Sequence, residues 1–358
     1  MDGMMKVLIA MSGGVDSSVA TKLLHDEGYE CIGCTMKLYD NCDAGLPRGR
    51  TCCSLDDVED ARSVAFSLGM RYYVFNFKDD FREKVIKKFA AGYLRGQTPN
   101  PCIDCNRYMK FDKLLERARL LGCNKIATGH YARIEFDGEK YRLKKALDKS
   151  KDQSYVLYML TQEQLAHTLF PLGALQKTDT RAIADGAGLS NAHKPDSQDI
   201  CFVPYGDYAA AIERLTGIKA PCGDFIDSSG KVLGTHRGIT HYTVGQHRGL
   251  GLSLPERRYV CGIDAENGTV TLGSGDELYS SAAEVRSFNW ISGEAPTEPI
   301  RCTAKIRYRQ PEQAATAVAH ADGSVTLHFD APQRAVTPGQ AAVLYDGDTV
   351  LGGGEIVK

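Results

Sequence analysis

Long apolar runs are missing from this sequence of 358 residues. The first, from Val7 to Met11, is far too short to cross a bilayer, and the opening MDGMMK lacks the basic n-region of a secretory signal. A cytoplasmic address without membrane attachment is therefore expected. Net charge is nearly missing as well, at −2. That balance neither selects nor excludes a nucleic-acid partner, because steering depends on where the basic residues sit. Repeats and low-complexity tracts are lacking, which excludes a solenoid. Cysteine is not scarce: there are 12. In a large cytoplasmic chain these should be reduced thiols, so special spacings point to metal or sulfur chemistry rather than to a disulfide framework.

Length and pattern predict an α/β protein: an N-terminal doubly wound parallel sheet of Rossmann-like type, followed by two small mostly-β domains, the last barrel-like. Strand signals fall on Lys6–Met11, Tyr29–Leu38, Arg71–Phe77 and Lys125–Thr128. Helix signals fall on Gly14–Glu27, on a stretch capped by Ser54 and ending at Leu68, on Asp79–Arg95 and on Asn106–Leu121. The Thr-Pro-Asn-Pro core of Gly96–Cys105 predicts a loop. Further helices are expected over Gln153–Leu189, and strands with hairpin turns beyond Tyr208. Those turns are expected at Asp227–Gly230, Glu266–Gly268, Asp322–Gly323 and Asp346–Gly347. The expected domains are 1–208, 209–278 and 279–358.

SGGVDSS, residues 12–18, directly follows the first strand and opens the first helix. Glycines let backbone N–H groups approach a polyphosphate, and the helix N-terminus adds its positive end. Ser12, Ser17 and Ser18 offer hydroxyls, and Asp16 could hold Mg²⁺ on the phosphates. It is not a Walker A loop, which needs a lysine after its last glycine. Cys102 and Cys105 have C-x-x-C spacing beside a helix start, where thiol pKa values fall. Cys201, in DSQDICF, is the third candidate. Cys31 and Cys34 share that spacing but lie on a strand. Cys123, Cys222, Cys261 and Cys302 read as small buried hydrophobes, and Cys42, Cys52 and Cys53 have no assigned role.

The loop resembles that of PP-loop ATP pyrophosphatases, which cleave ATP between the α and β phosphates and transfer AMP to a substrate oxygen. The resemblance implies ATP binding by Ala10, Met11, Ser12, Gly13, Gly14, Val15, Asp16 and Ser17, with adenine near Met36 and Gly129. SGGVDSS, NPCIDCN, ATGHYAR, KDQSYVL, DSQDICF, HYTVGQHRGLG and TPGQ, in order from residue 12 to residue 340, together resemble the MnmA (TrmU) family of bacterial tRNA 2-thiouridylases. That resemblance implies a persulfide on Cys201 and a partner nucleophile at Cys105. It also implies target-base contacts by Asn100, Pro101 and Cys102, and tRNA contacts by His130, Lys151, Asp152, Gln153, Arg307, Tyr308 and Gln340. A cysteine desulfurase or sulfur-relay protein is the implied donor, and the tRNAs for Lys, Glu and Gln the implied substrates. Many family members carry Asp where this chain has Cys102. Cys102, Cys105 and Cys201 could therefore hold a [4Fe–4S] cluster instead, and both chemistries stay open at this point.

Two basic stretches are candidate RNA surfaces. Arg301, Thr303, Lys305, Arg307 and Arg309 alternate along one predicted strand, which puts four cations on one side. Lys140–Lys151 is the second. A lid over Cys201 is expected from Asp199 to Gly206. The rivals are another PP-loop adenylating enzyme, such as an amidotransferase, and a non-catalytic RNA-binding protein with a structural metal. The first has no use for paired thiols, and the second none for a phosphate loop.

Overall fold

The computed structural model describes residues 4–40, 55–196, 200–203 and 206–358. Cys42, Cys52, Cys53 and the proposed cap Ser54 lie outside the described residues, as does part of the expected lid at 199–206.

Strand β1 (Lys6–Ala10) is the centre of a parallel sheet with β2 (Glu30–Lys37), β3 (Arg71–Asn76), β4 (Lys125–Thr128) and β7 (Thr168–Leu169), in the order β3-β2-β1-β4-β7. Val7, Leu8 and Ile9 are all fully buried, so both faces of β1 are covered, as a parallel sheet requires. On one face Val7, Ile9 and Met11 pack with helices α1 (Val15–Asp26) and α2 (Leu55–Ser67). On the other, Leu8 and Ile32 meet Phe111, Leu114, Leu115 and Ala118 of a helical run through residues 101–120. The sequence reading holds for this layer.

Three expectations do not hold. Residues 96–105 are not all loop: Pro101 sits at the first helical position, where its missing N–H is no loss, and Asn100 caps the helix. Strands do not begin at once beyond Tyr208, because Tyr208–Thr216 is a helix capped by Asp207 and ended by Gly217. The run of helices over 153–189 is broken; only short helices at Gln162–Ala166 and Lys177–Gly186, a turn at Ser154–Val156 and strand β7 occur there. The hairpin of β5 (Ala132–Phe136) and β6 (Tyr141–Lys145) carries no strong sequence signal, since half its residues are polar and it has two short arms.

That hairpin belongs to the far end of the chain. Strands β12 (Tyr279–Trp290), β13 (Ile300–Lys305), β14 (Gln313–Ala319), β15 (Val325–Arg334), β16 (Ala341–Asp346) and β17 (Thr349–Ile356) run in the order β12-β15-β14-β13-β16-β17, and β12–β17 pairing closes them into a barrel. Hairpin β5–β6 extends this sheet through Thr349 opposite Lys144. One apolar core accordingly runs from Leu8 and Phe111 through Tyr155 and Leu160 to Val343, Tyr345 and Val350. Between the two lies a smaller sheet of β8 (Gly223–Ile226), β9 (Val232–His236), β10 (Tyr259–Asp264) and β11 (Thr269–Gly273) around Phe225, Val260 and Val270. All four expected hairpin turns lie between paired or adjacent strands.

The barrel grips the loop that precedes the residue 101–120 helix. Thr98 N–H donates to the carbonyl of Pro338 at 2.9 Å, and the Gln340 side-chain amide donates to the Thr98 carbonyl at 2.5 Å. Gly339 between them has φ +87°, and a Cβ there would stand 2.9 Å from the Thr98 nitrogen. Gly339→Ala should therefore cost about 1–3 kcal/mol through positive-φ strain plus the clash. A lowered urea midpoint would show it; an unchanged midpoint would mean the loop is not held against the barrel.

Candidate active site

The phosphate loop sits at the C-terminal edge of β1, where open α/β sheets place ligands. Gly14 is the cap residue of α1 and no side chain caps that helix, so its first N–H groups are left for a ligand. Inside the loop the Ser12 N–H donates to Ser17 Oγ at 3.1 Å, while Ser17 and Ser18 hydroxyls donate to the Gly14 carbonyl at 3.0 and 3.2 Å. Gly129, just after β4, needs to be glycine: a Cβ would lie 2.8 Å from the Ser17 nitrogen. Met36 lies near the end of β2. The expected adenine positions thus flank the loop at the ends of the strands on either side of β1.

Sequence reasoning missed the cations beside this loop. Lys177 Nζ lies 2.6 Å from Asp16 Oδ1 and 2.8 Å from Asp196 Oδ1, and 5.7 Å above the Tyr131 ring. The Tyr131 hydroxyl donates to Asp16 Oδ1 at 2.9 Å. Although burial opposes it, Lys177 and Lys151 hold the Asp196 carboxyl down at about 2. Lys194 bonds Asp57 and Asp60 and reaches the Gly13 carbonyl at 3.3 Å. The Asn191 amide donates to that carbonyl at 3.0 Å and to Ser18 Oγ at 2.9 Å, while its own Oδ1 is buried without a partner. Only topology brings 177–196 back to the loop, so no local signal could have found Lys177. Lys194 stands two residues before the DSQDICF motif, and that adjacency was the available clue.

Cys105 and Cys201 pack near the ends of β2 and β3, in a cluster with Leu38, Tyr39 and Phe77. Asn100 Oδ1 accepts the Cys102 N–H at 3.1 Å, which fixes the helix start carrying both cysteines of the C-x-x-C pair. Pro101 is buried, Cys102 exposed and Cys105 half-buried. Cys105 and Cys201 pack against one apolar cluster that includes Phe81, Phe89 and Phe202, whose rings meet edge to face. The Tyr39 hydroxyl anchors the Cys201 carbonyl at 2.8 Å. Two thiols 96 residues apart in sequence thus share one apolar floor. Cys31 and Cys34 are buried in β2, and burial pushes the Cys31 thiol up to about 11 and Cys34 higher still. Cys123 is buried as expected, but Cys222 is exposed, and Cys261 and Cys302 are only half-buried.

Family comparisons agree with this geometry. The tRNA methyl transferase HUP domain matches residues 5–205, the tRNA methyl transferase PRC-barrel domain residues 215–274, and the aminomethyltransferase beta-barrel domain residues 280–356. The tRNA-specific 2-thiouridylase MnmA of Acetivibrio thermocellus is 52% identical over 98% of this chain and 99% of its own length. That of Clostridioides difficile is 47% identical over 99% and 98%. The chain belongs to the MnmA family.

Several residues that MnmA resemblance assigns to tRNA have other duties in the RNA-free chain. Arg307 lies past the end of β13, not on it, and its guanidinium donates to the carbonyls of Val244 and Ala335 and to Thr337 Oγ1 at 3.2, 3.0 and 2.8 Å. Arg301 is bonded twice to Asp330, so the expected row of four cations on one strand face does not form. In the second stretch Lys140, Arg142, Lys144, Lys145 and Lys151 each pair with an acidic residue. Asp152 accepts from Ala146 and Ser154, and Gln153 accepts the Tyr131 N–H at 2.9 Å. Tyr308 is 38% exposed, and its hydroxyl donates to the Asp152 carbonyl at 3.4 Å. A cavity of about 210 Å³ opens beside Asn100, Ile103, Arg107, Tyr158, Gln340 and Glu355.

His130 is 6% exposed, with Nδ1 2.7 Å from Thr128 Oγ1 and Nε2 3.4 Å from Lys110 Nζ. Burial first, and Lys110 second, hold its pKa well below the ordinary 6.5. The folded chain keeps His130 neutral where the unfolded chain protonates it, so stability should fall as pH drops below about 6.5. Unfolding of wild type and His130→Asn, compared between about pH 7.5 and 5, should show the smaller acid loss in the variant. Equal losses would contradict the buried neutral imidazole.

Proposed function

We propose that this chain is a tRNA 2-thiouridylase that adenylates the C2 oxygen of the wobble uridine with ATP and replaces it with sulfur from a Cys201 persulfide. The observation that carries this reading is the pairing of an uncapped phosphate loop with Cys105 and Cys201 on one apolar cluster. Neither rival uses both.

A uracil carbonyl oxygen does not leave unaided. Transfer of AMP makes it a leaving group, while the loop N–H groups and Lys177 hold the polyphosphate and receive the departing pyrophosphate. Asp16 would hold the Mg²⁺ that accompanies ATP, and that ion would supply further charge stabilisation. The terminal persulfide sulfur attacks C2 and expels AMP. The Cys105 thiolate then attacks Cys201 Sγ, the S–S bond breaks toward the transferred sulfur, and a Cys105–Cys201 disulfide remains. Asn100 and Pro101 frame the target base, which must leave the anticodon stack to reach the thiols. The tRNAs for Lys, Glu and Gln, a desulfurase or relay protein as donor, and a cytoplasmic setting complete the proposal. Among the described residues no helix is long and apolar enough to cross a membrane.

Nothing in the fold or in the comparisons favours the cluster alternative. Among the described residues no three Cys, His, Asp or Glu side chains are gathered to hold a metal. No step is routed through iron.

Adenylation and sulfur transfer should separate on mutation. With unmodified tRNA for Glu, Cys105→Ala and Cys201→Ser should still convert ATP to AMP and pyrophosphate while losing 2-thiouridine. AMP formation that ignores RNA altogether would instead indicate another PP-loop substrate. Lys177→Met should slow the formation of AMP and pyrophosphate by about tenfold to a hundredfold, the worth of one charge-assisted hydrogen bond. An unchanged rate would remove Lys177 from the phosphate site.

A further inference from the structure

The mechanism proposed above leaves Cys105 and Cys201 oxidised after every turnover, and Cys201 must be a free thiol before it can carry sulfur again. A third thiol, Cys102, stands one helical turn from Cys105. Cys102 and Cys105 are three residues apart in the first turns of the residue 101–120 helix, a spacing that puts two side chains on the same face as neighbours. Their exposures differ: Cys102 is exposed, whereas Cys105 is half-buried against the apolar cluster it shares with Cys201. The turn bearing them is fixed from both sides, by the Asn100 cap on the Cys102 N–H and by the barrel's hold on Thr98. A C-x-x-C pair at a helix start is a common dithiol arrangement, in which the N-terminal position lowers thiol pKa values.

We propose that Cys102 is a resolving thiol that moves the disulfide off Cys201 after sulfur transfer. The step rests on the persulfide reading above. The Cys102 thiolate attacks Cys105 Sγ, a Cys102–Cys105 bond forms as the Cys105–Cys201 bond breaks, and the electron pair leaves on Cys201 Sγ, which takes up the proton that Cys102 gave. One disulfide replaces another, so no oxidant or reductant is consumed. Two consequences follow from the positions of the sulfurs. Cys201 is returned as a thiol inside its pocket, ready for the next persulfide, and the oxidised pair now includes the exposed Cys102, where a dithiol reductant can reach it. A chain with a carboxylate at this position could not make the exchange, and the reductant would have to open the half-buried pair directly.

The test uses full-length enzyme loaded with one persulfide equivalent, ATP and unmodified tRNA for Glu, without reductant. After a single turnover the sample is acid-quenched, free thiols are alkylated, and disulfide-linked peptides are mapped by mass spectrometry. Wild type should show the Cys102–Cys105 disulfide with Cys201 alkylated. Cys102→Ser should lose that species and show the Cys105–Cys201 cross-link in its place. A wild-type product that keeps Cys105–Cys201, with Cys102 alkylated, would overturn the resolving role while leaving the persulfide mechanism standing. Thiolated tRNA with no disulfide in either protein would overturn the persulfide mechanism, and the resolving step with it.

Discussion

Thr98 is held twice by the C-terminal barrel, its N–H by the Pro338 carbonyl and its carbonyl by the Gln340 amide. The turn that carries Cys102 and Cys105 starts from this contact. Two residues on, Asn100 caps the helix, Pro101 starts it, and Cys102 and Cys105 follow in its first turns. The loop is also pressed from the middle sheet, where Ile263 lies against Gly96 and Thr243 meets Thr98. A loop of six residues, 95–100, between two helices would ordinarily be mobile. Here it touches both β-rich parts of the chain, and its main chain is fixed by hydrogen bonds rather than by bulk.

The same constraint explains why the chain needs its β domains close to the catalytic sheet. The apolar core that backs the cysteine helix continues into the barrel through Tyr155, Tyr158 and Tyr345, and the β5–β6 hairpin lends two strands to the barrel's sheet. A barrel that contacts RNA would then be tied directly to the loop that presents the thiols. On the opposite side of the site, Lys177 ties Asp16 of the phosphate loop to Asp196, five residues before Cys201. The two chemistries, adenylation and sulfur transfer, are therefore linked by one ion-paired segment and one clamped loop.

Much of this was legible in the sequence because the signals were local. KVLIAM followed by SGGVDSS fixes a strand, a phosphate loop and a helix within a few turns of chain, and the parallel sheet follows from its repetition. Cys105 and Cys201 stand out by motif, and both pack against one apolar cluster. What escaped was long-range. Lys177 and Asn191 reach the phosphate loop only because the chain returns there. Arg307 reads as a strand cation until its guanidinium is seen buried among carbonyls. Alternation along 301–309 was a sound pattern, but the strand ends at Lys305 and its first arginine is neutralised by Asp330 from β15. The helix starting at Pro101 was misjudged because two prolines close together suggest a loop, whereas the second occupies the one helical position that suits it.

The most direct test of the clamp is amide hydrogen exchange in the RNA-free enzyme, comparing wild type with Gln340→Ala over the peptide spanning residues 96–105 and over the phosphate loop. If the barrel positions the thiol loop, exchange in 96–105 rises in the variant while residues 12–18 keep their protection. Unchanged exchange in 96–105 would contradict the account, because the loop would then hold its shape without the barrel.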